Sequence, residues 1–236
     1  MGDQKWVRSV VLWDVDGTLV DYALPLETFV DECLARIGVD PASVSAAAMR
    51  QAHDRRLEME VSWRTLDDER AGFLEVARVL LAGTGVSEEQ VVQCGAAFAR
   101  YFDLYAPIEG IEALLAELKA RGVRQGVISN WPPSLKNFLG HHGLAQYFQV
   151  IVGSGEEGVA KPDRAIFRRA LAALGVRPEE CIYVGDNPQN DVIPSRELGI
   201  YPIHFNPRRD RGRWDACDVP SLRARLLAAL RGGEPQ

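Results

Sequence analysis

The chain has 236 residues, of which 47% are hydrophobic and 25% charged, and its formal net charge at pH 7 is −6. This composition is typical of a globular protein, and the negative charge argues against nucleic acids and acidic membranes as partners. No apolar run approaches the roughly 18 residues of a membrane span, the start is too polar for a signal peptide, and the cysteines show no paired spacing, so we expect a cytoplasmic protein.

The first predicted element is a strand that leads directly into two aspartates. The apolar run Val10-Val11-Leu12-Trp13 is typical of an inner strand of a parallel sheet, which places Asp14 and Asp16 at its C-terminal end, where open α/β sheets bind ligands. On extended backbone the two residues lie about 6.6 Å apart and point the same way. A hard divalent cation such as magnesium would relieve the repulsion between them. Asp16-Gly17-Thr18 is also a common turn sequence, so this segment alone leaves both interpretations open.

A long interval before the next strand-like run predicts an inserted domain at residues 22–106. Helical patterns run from Leu26 to Ile37, from Asp67 to Leu81, and onward from about Glu88. The last pattern carries an aromatic stripe at helical spacing that indicates core packing: Phe98, Tyr101, Phe102 and Tyr105. The segment with Leu57, Met59, Val61 and Trp63 alternates with polar residues as a strand does, and it is left unassigned. Each connection to the insert carries a proline, which suggests the hinges of a lid.

From Gly110 onward, strands and helices alternate, which predicts a parallel, three-layer α/β core formed by residues 1–21 and 107–236. The predicted strands are Arg124 to Ser129, Gln149 to Gly153, Ile182 to Gly185 and Ile200 to Phe205. The predicted helices are Ile111 to Arg121, Ser134 to His141, Asp163 to Leu174, Val192 to Leu198 and Ser221 to Leu230.

Polar residues follow the first, second and fourth core strands, and we expect them to meet at one edge of the sheet. Besides Asp14 and Asp16, they are Ser129, Asn130 and Asp186, with Asp191 five residues later. Pro194 fits only the first turn of a helix, so Asp191 is also a natural N-cap.

A single lysine completes this set. Lys161 precedes Pro162, which suits the first position of a helix and places Asp163 in its first turn. A lysine there faces the positive end of the helix dipole, so we expect an anionic group to hold it.

Together these residues resemble the four motifs of the haloacid dehalogenase superfamily. The motifs are Asp14-Val15-Asp16-Gly17-Thr18, Ser129, Lys161-Pro162-Asp163 and Gly185-Asp186-Asn187-Pro188-Gln189-Asn190-Asp191. They occur in the superfamily's order, and the insert stands where members with a helical (C1-type) cap carry theirs. The resemblance implies a phosphatase-like hydrolase with a Rossmann-like core and a cap at residues 22–106.

The resemblance also implies a role for each motif residue. Asp14 would be the nucleophile that forms an aspartyl phosphate, and Asp16 would protonate the leaving oxygen and then deprotonate the attacking water. Halide leaves without a proton, so an acid at position 16 argues against a dehalogenase.

The remaining motif residues would bind the metal ion and the phosphoryl group. Mg²⁺ would be held by the Asp14 carboxylate, the Asp16 backbone carbonyl and Asp186. Ser129 and Lys161 would hold the phosphoryl oxygens, and Asp191 would steady Lys161. Substrate contacts are expected at Gly17, Thr18 and Asn130.

Two further sets of residues have an open role. The candidate residues of the insert for selecting the substrate are His53, Arg55, Arg56, Trp63 and Arg64. Solvated arginines on a helix face and a tryptophan in the core would account for the same residues equally well. The basic cluster Arg208, Arg209, Arg211 and Arg213 is more typical of a solvated loop than of a binding patch.

The leading hypothesis is a magnesium-dependent phosphomonoesterase acting on a small phosphorylated metabolite, as a monomer or homodimer. The alternatives are a phosphomutase of the same superfamily and a noncatalytic metabolite sensor on the same fold. A receiver-like phospho-aspartate switch fits the large insert and the closely spaced aspartates poorly.

Overall fold

The structure is a computed structural model that describes residues 7–208 and 214–233. Its strands are β1 (Val10–Trp13), β2 (Val20–Tyr22), β3 (Tyr105–Pro107), β4 (Arg124–Ser129), β5 (Val150–Gly153), β6 (Cys181–Gly185) and β7 (Tyr201–His204). Its helices are α1 (Leu26–Arg36), α2 (Ala46–Glu60), α3 (Leu66–Leu80), α4 (Glu88–Phe98), α5 (Ile111–Ala120), α6 (Leu135–His141), α7 (Ser154–Glu157), α8 (Arg164–Leu174), α9 (Ile193–Glu197) and α10 (Val219–Leu230). None of these described helices is long and apolar enough to cross a membrane.

A parallel five-stranded sheet in the order β5-β4-β1-β6-β7 organises the core. Strand β1 lies at its centre, and all four of its residues are fully buried, as both faces of an inner parallel strand should be. Residues of α8 pack against side chains of β1, β4 and β6 in one apolar cluster. The α/β, Rossmann-like fold class predicted from the sequence is confirmed.

The chain divides into two compact units. The core unit contains the described residues up to Asp21, Pro107–Trp131, and the described residues from Leu135 onward. The insert unit contains Tyr22–Ala106 together with Pro132–Ser134. Strands β2 and β3, which lie where the chain passes from one unit to the other, pair in a separate two-stranded sheet.

Local sequence signals account for the two helices at the centre of the insert unit. Helix α3 begins with a capping box between Thr65 and Asp68, and α4 begins with one between Ser87 and Gln90. Their buried faces join α1 in an apolar core that includes Phe73, Cys94 and Phe98.

The predicted aromatic helix after Glu88 is shorter than the sequence pattern suggests. Helix α4 ends at Phe98, Tyr101 lies in a short 3₁₀ turn, and Tyr105 begins β3. The prediction of one continuous helix through Tyr105 is therefore wrong, because pairing of β3 with β2 fixes extended backbone there. The rings still pack as expected: Tyr101 and Tyr105 lie against the insert's core.

The alternating segment that resembles a strand is helical only in its first half: Leu57 and Met59 lie in α2, whereas Val61 and Trp63 follow its end. Helix α2, which starts at the N-cap Ser45 and runs to Glu60, was not predicted. Leu57 and Val61 are exposed and Trp63 is buried, so the alternation does not reflect one buried face. Long, unbranched side chains such as those of Arg, Gln, Glu and Met favour helix, and here they outweigh the periodicity.

Candidate active site

The carboxyl ends of β1, β4 and β6 meet at one edge of the core sheet. Trp13, the last residue of β1, is in register with Val127 of β4 and Val184 of β6. Asp14 follows β1 directly, Ser129 is the last residue of β4, and Asp186 follows β6. Parallel pairing in this register places the three side chains side by side, as the sequence pattern predicts.

A buried ammonium joins two of the aspartates. Lys161 Nζ lies 2.7 Å from Asp14 Oδ1 and 2.6 Å from Asp191 Oδ1, and the lysine side chain is only 3% exposed. Ser129 Oγ donates to the same Asp14 oxygen at 2.9 Å. Burial alone would lower the pKa of Lys161, but the two carboxylates outweigh it and raise that pKa, so the lysine is charged. The anionic partner expected for Lys161 is therefore a pair of aspartates.

Tyr183, which the sequence analysis did not single out, completes this network. Its hydroxyl accepts a hydrogen bond from Lys161 Nζ at 3.1 Å and lies 2.9 Å from the Ile128 carbonyl oxygen. Burial and the neighbouring aspartates raise its pKa well above the ordinary value, so it stays a neutral phenol. The sequence did contain a signal for Tyr183: a tyrosine within an apolar, buried strand needs hydrogen-bond partners for its hydroxyl in the interior.

The backbone of Lys161 is held by Asn130. The Asn130 amide accepts from the Lys161 backbone N–H at 2.7 Å and donates to its carbonyl oxygen at 2.9 Å. Helix α8 begins only at Arg164, with Asp163 as its N-cap, so the prediction that Pro162 opens the helix is wrong. The helix dipole therefore does not explain how Lys161 is placed, whereas the amide clamp from Asn130 does.

Asp191 is buried in the network and does not cap a helix through its side chain. Its Oδ1 pairs with Lys161, and its Oδ2 accepts from the Asn187 backbone N–H at 3.0 Å. Asn187 caps the wide helical turn Pro188–Val192 by accepting from the N–H groups of Gln189 and Asn190. The N-cap prediction for Asp191 is therefore wrong, while Pro194 lies in the first turn of α9 as predicted.

Three carboxylates form a candidate divalent-cation site. Asp14, Asp186 and Asp191 each offer an oxygen, and these oxygens lie within 4.8 Å of one another. Burial, followed by repulsion from Asp14, raises the pKa of Asp186 to about 7 and that of Asp191 to about 6. A hard cation would offset that repulsion, so this all-oxygen set fits Mg²⁺. The Asp16 carboxylate is not part of the cluster, and the resemblance assigns only its backbone carbonyl to the metal.

The sequence left two interpretations of Asp16-Gly17-Thr18 open, a turn and a part of the site, and both apply. Gly17 has a φ of 70°, and a Cβ there would lie 2.4 Å from Asp186 Oδ2, so glycine is needed both for the turn and for the site. Leu19 N–H closes the turn onto the Val15 carbonyl oxygen at 2.8 Å. The buried Thr18 hydroxyl has no hydrogen-bond partner among the described residues, so it is available to a ligand.

Asp16 faces Arg208, the first residue of the predicted basic cluster. Arg208 Nη2 lies 3.1 Å from Asp16 Oδ1 and 2.6 Å from Asp21 Oδ1. Burial raises the pKa of Asp16, and Arg208 opposes that shift. The other arginines of the cluster, Arg209, Arg211 and Arg213, lie outside the described residues.

Four of the insert's five candidate substrate residues contact other residues of the insert unit. Trp63 is 2% exposed and belongs to the insert's core, and Arg55 and Arg56 pair with nearby glutamates. Arg64 donates to the carbonyl oxygens of Val61 and Trp63, and His53 is exposed. These placements support the structural interpretation of Trp63 and the arginines.

Comparisons of the sequence and of the fold find similarity to known proteins. The model of the haloacid dehalogenase-like hydrolase family matches residues 9–199. The phosphoserine phosphatase of Thermus thermophilus is 40% identical over 129 residues, which span 54% of this chain and 52% of that protein. Phosphoglycolate phosphatase 1 of Pseudomonas aeruginosa is 29% identical over 90% of this chain and 75% of that protein. The crystal structure of a phosphatase of this superfamily from Thermococcus onnurineus superposes with a TM-score of 0.67 at 23% identity, covering 95% of this chain and all of that one.

Proposed function

This chain belongs to the haloacid dehalogenase-like hydrolase family, and we propose that it is a magnesium-dependent phosphomonoesterase that forms an aspartyl phosphate at Asp14. The observation that carries the proposal is the buried Asp14 carboxylate, which Ser129 and Lys161 hold beside two further aspartates. A carboxylate fixed by donors on one oxygen, next to a cation site, is suited to attack an anionic phosphoryl group.

The proposed reaction has two steps. An Asp14 oxygen forms a bond to phosphorus as the bond to the leaving oxygen breaks, and Asp16 donates its proton to that oxygen. The Asp16 carboxylate then removes a proton from water, whose oxygen attacks the same phosphorus. The bond between phosphorus and Asp14 breaks, which releases inorganic phosphate and restores both aspartates.

Three side chains would bind the phosphoryl group. The three N–H donors of Lys161 already meet Asp14, Asp191 and Tyr183, so we propose that a phosphoryl oxygen replaces the contact with Asp14. The single O–H of Ser129, which donates to Asp14, would turn to a phosphoryl oxygen in the same way, and the unpartnered Thr18 hydroxyl offers one further hydrogen bond. Mg²⁺, held by Asp14, Asp186 and the Asp16 carbonyl, would neutralise charge between nucleophile and substrate.

The substrate class that we propose is a small phosphorylated metabolite. Two relatives are named for phosphoserine and phosphoglycolate, which are both alkyl phosphomonoesters that carry a carboxylate. An acid at position 16 supports a leaving alkoxide rather than a halide, because an alkoxide needs a proton.

We also propose a cytoplasmic location and a monomeric or homodimeric state. All four cysteines are free, and three of them are buried. Free thiols of this kind are typical of a reducing compartment.

The deciding experiment is phosphate release from phosphoserine, phosphoglycolate and 4-nitrophenyl phosphate, with and without magnesium. We expect metal-dependent turnover that Asp14→Asn abolishes. The matched control is Asp67→Asn, which neutralises an aspartate whose side chain is 90% exposed in the insert unit and should leave turnover unchanged. Turnover that survives Asp14→Asn would overturn the nucleophile assignment. Conversion of a sugar phosphate to an isomeric ester without release of inorganic phosphate would favour a mutase, because the phosphoryl group then passes from Asp14 to a hydroxyl instead of to water.

A further inference from the structure

Arg208 joins the expected acid/base residue to a second aspartate of the core unit. Its Nε and Nη2 both contact Asp21 Oδ1, at 3.0 and 2.6 Å, and Nη2 also contacts Asp16 Oδ1 at 3.1 Å. Two donors directed at one oxygen of Asp21 fix the plane of the guanidinium. The third contact then holds Asp16 at a defined place in that plane.

The contact with Asp16 is one-sided. Arg208 meets only Oδ1, and within the described part of the chain Asp16 Oδ2 has no hydrogen-bond partner. A carboxylate pinned by one oxygen presents the other in a fixed direction, which is what proton transfer to a bound leaving group requires. We propose that Arg208 is a positioning residue for Asp16, fixing Oδ1 so that Oδ2 exchanges the proton; the inference rests on the proposed function.

The loop that carries Arg208 is anchored beside the same site. Three residues earlier, the Phe205 backbone N–H donates to the Gly185 carbonyl oxygen at 3.0 Å, immediately before Asp186. Asp21, which the Arg208 guanidinium contacts, lies on β2, next to Val20, which forms a β-bridge with Asp16. The guanidinium therefore ties together two segments that both lead into the aspartate cluster. The three side chains are about one-third exposed or more, and such pairs add little to stability.

The experiment compares substrates whose leaving groups need a proton to different degrees. Nitrophenolate leaves without protonation, whereas the alkoxide of phosphoglycolate does not, and kcat/KM reports only the steps up to this cleavage. We expect Arg208→Met to lower kcat/KM for phosphoglycolate by about 10- to 100-fold and for 4-nitrophenyl phosphate by less than about 3-fold. Arg208→Lys, which keeps the charge but loses the fork, should restore part of the loss. In an Asp16→Asn background, Arg208→Met should cause no further loss.

The matched control is Arg223→Met. Arg223 contacts Glu117 through Nε and Nη2 at 2.6 and 2.7 Å, so this substitution removes a similar forked pair of the core unit. Arg223→Met should leave both kcat/KM values unchanged. In Arg208→Met, inhibition by inorganic phosphate and the thermal unfolding midpoint should also stay at their wild-type values. Equal losses for the two substrates, or no loss, would overturn the positioning role. A wild-type protein inactive on both substrates would instead overturn the proposed function, and this inference with it.

Discussion

The core unit and the insert unit treat buried charge in opposite ways. At the sheet edge of the core, Asp14, Lys161 and Asp191 are buried together and paired at 2.6 to 2.7 Å. The interior of the insert is an apolar helical cluster, and arginines such as Arg55, Arg56 and Arg70 pair with glutamates and aspartates on the surface. Buried ion pairs recover their desolvation penalty only when the geometry is good, so they are poor devices for stability alone. The difference indicates that the buried charges of the core have a chemical role rather than a stabilising one.

One buried acid in the insert unit makes the contrast sharper. The Glu69 carboxylate accepts hydrogen bonds from the backbone N–H and the hydroxyl of Ser134, at 3.0 and 2.7 Å, and Tyr101 lies 2.7 Å from the same hydroxyl. Burial raises its pKa even though these donors oppose the shift. Neutral donors therefore satisfy the buried acid of the insert, whereas a cation satisfies those of the core.

The largest expected difference between the units comes from removing one cation from each. Lys161→Met leaves Asp14 and Asp191 buried without their partner and should cost about 3–5 kcal/mol of unfolding free energy. Arg56→Met removes a half-buried pair with Glu60 in α2 and should cost about 0.5 kcal/mol or less. Urea denaturation of both variants measures this contrast. Similar losses would show that the buried core pair has no special energetic role.

Magnesium should stabilise the protein more at pH 8 than at pH 5. Because the folded pKa values of Asp186 and Asp191 are raised to about 7 and about 6, the metal-free fold binds protons that the unfolded chain releases above about pH 4. That contribution is complete below the unfolded pKa and is lost as pH rises through 6 and 7. A cation requires the ionised carboxylates, so its binding gains over the same window.

The gain is measurable as a thermal shift. At about 100 times its Kd, magnesium should add about 2.7 kcal/mol, or roughly 5–10 °C in the unfolding midpoint at pH 8. Asp186→Asn should remove most of this shift, while Asp67→Asn in the insert should not. A shift that is larger at pH 5, or unchanged in Asp186→Asn, would contradict the assigned cation site.

The same glycine-to-alanine change should have different consequences in the two units. At Gly185 a Cβ would lie 2.4 Å from Asp191 Cγ, and at Gly72 it would lie 2.1 Å from the Trp63 ring. Gly72→Ala should cost about 1–3 kcal/mol in stability, because the insert's core must shift, and should preserve turnover. Gly185→Ala should lower turnover by about 100-fold, since it displaces Asp191. Urea denaturation and phosphate release test the pair, and a Gly72→Ala protein that is fully folded but inactive would break the comparison.

The smallest expected effect concerns Glu69. Its folded pKa is raised above the ordinary value of 4.5, so its contribution is complete below that value and stability falls as pH rises through the folded pKa. Glu69→Gln removes the titration with little change of shape. Between pH 4 and pH 7 the wild type should lose about 1 kcal/mol or less relative to the variant in urea denaturation. Parallel pH profiles would show that Glu69 has the same pKa in the folded and the unfolded chain, which would contradict the raised pKa.

The core was more predictable from the sequence than the insert. In β1 and β6 the apolar runs are continuous, and each is followed at once by polar residues, so strand identity and site position are read from the same few residues. In α2 the apolar residues are few, and Leu57 and Val61 remain exposed, so no buried face marks the helix. A periodicity argument fails where one face is not clearly buried.

Two contacts at the site could not have been predicted from local sequence. The amide of Asn130 is bonded to the backbone of Lys161, thirty-one residues further on, and Arg208 meets Asp16 across 192 positions. The presence of an Asn or an Arg in the sequence does not predict its hydrogen-bond partner, because each bonds equally well to many groups. The N-cap assigned to Asp191 failed for the same reason, since Asn187 competes for the same turn.

The sequence by itself determined the parallel α/β core, the strand ends that carry the aspartates, and the resemblance to one superfamily. These features follow from short-range patterns of apolar and polar residues. The tertiary structure decided which oxygen of each aspartate is held, that Tyr183 closes the lysine network, that Asp191 rather than the Asp16 side chain joins the carboxylate cluster, and that Arg208 reaches Asp16. Those outcomes depend on strand register and loop paths, which bring distant residues within 3 Å of one another only after the sheet has formed.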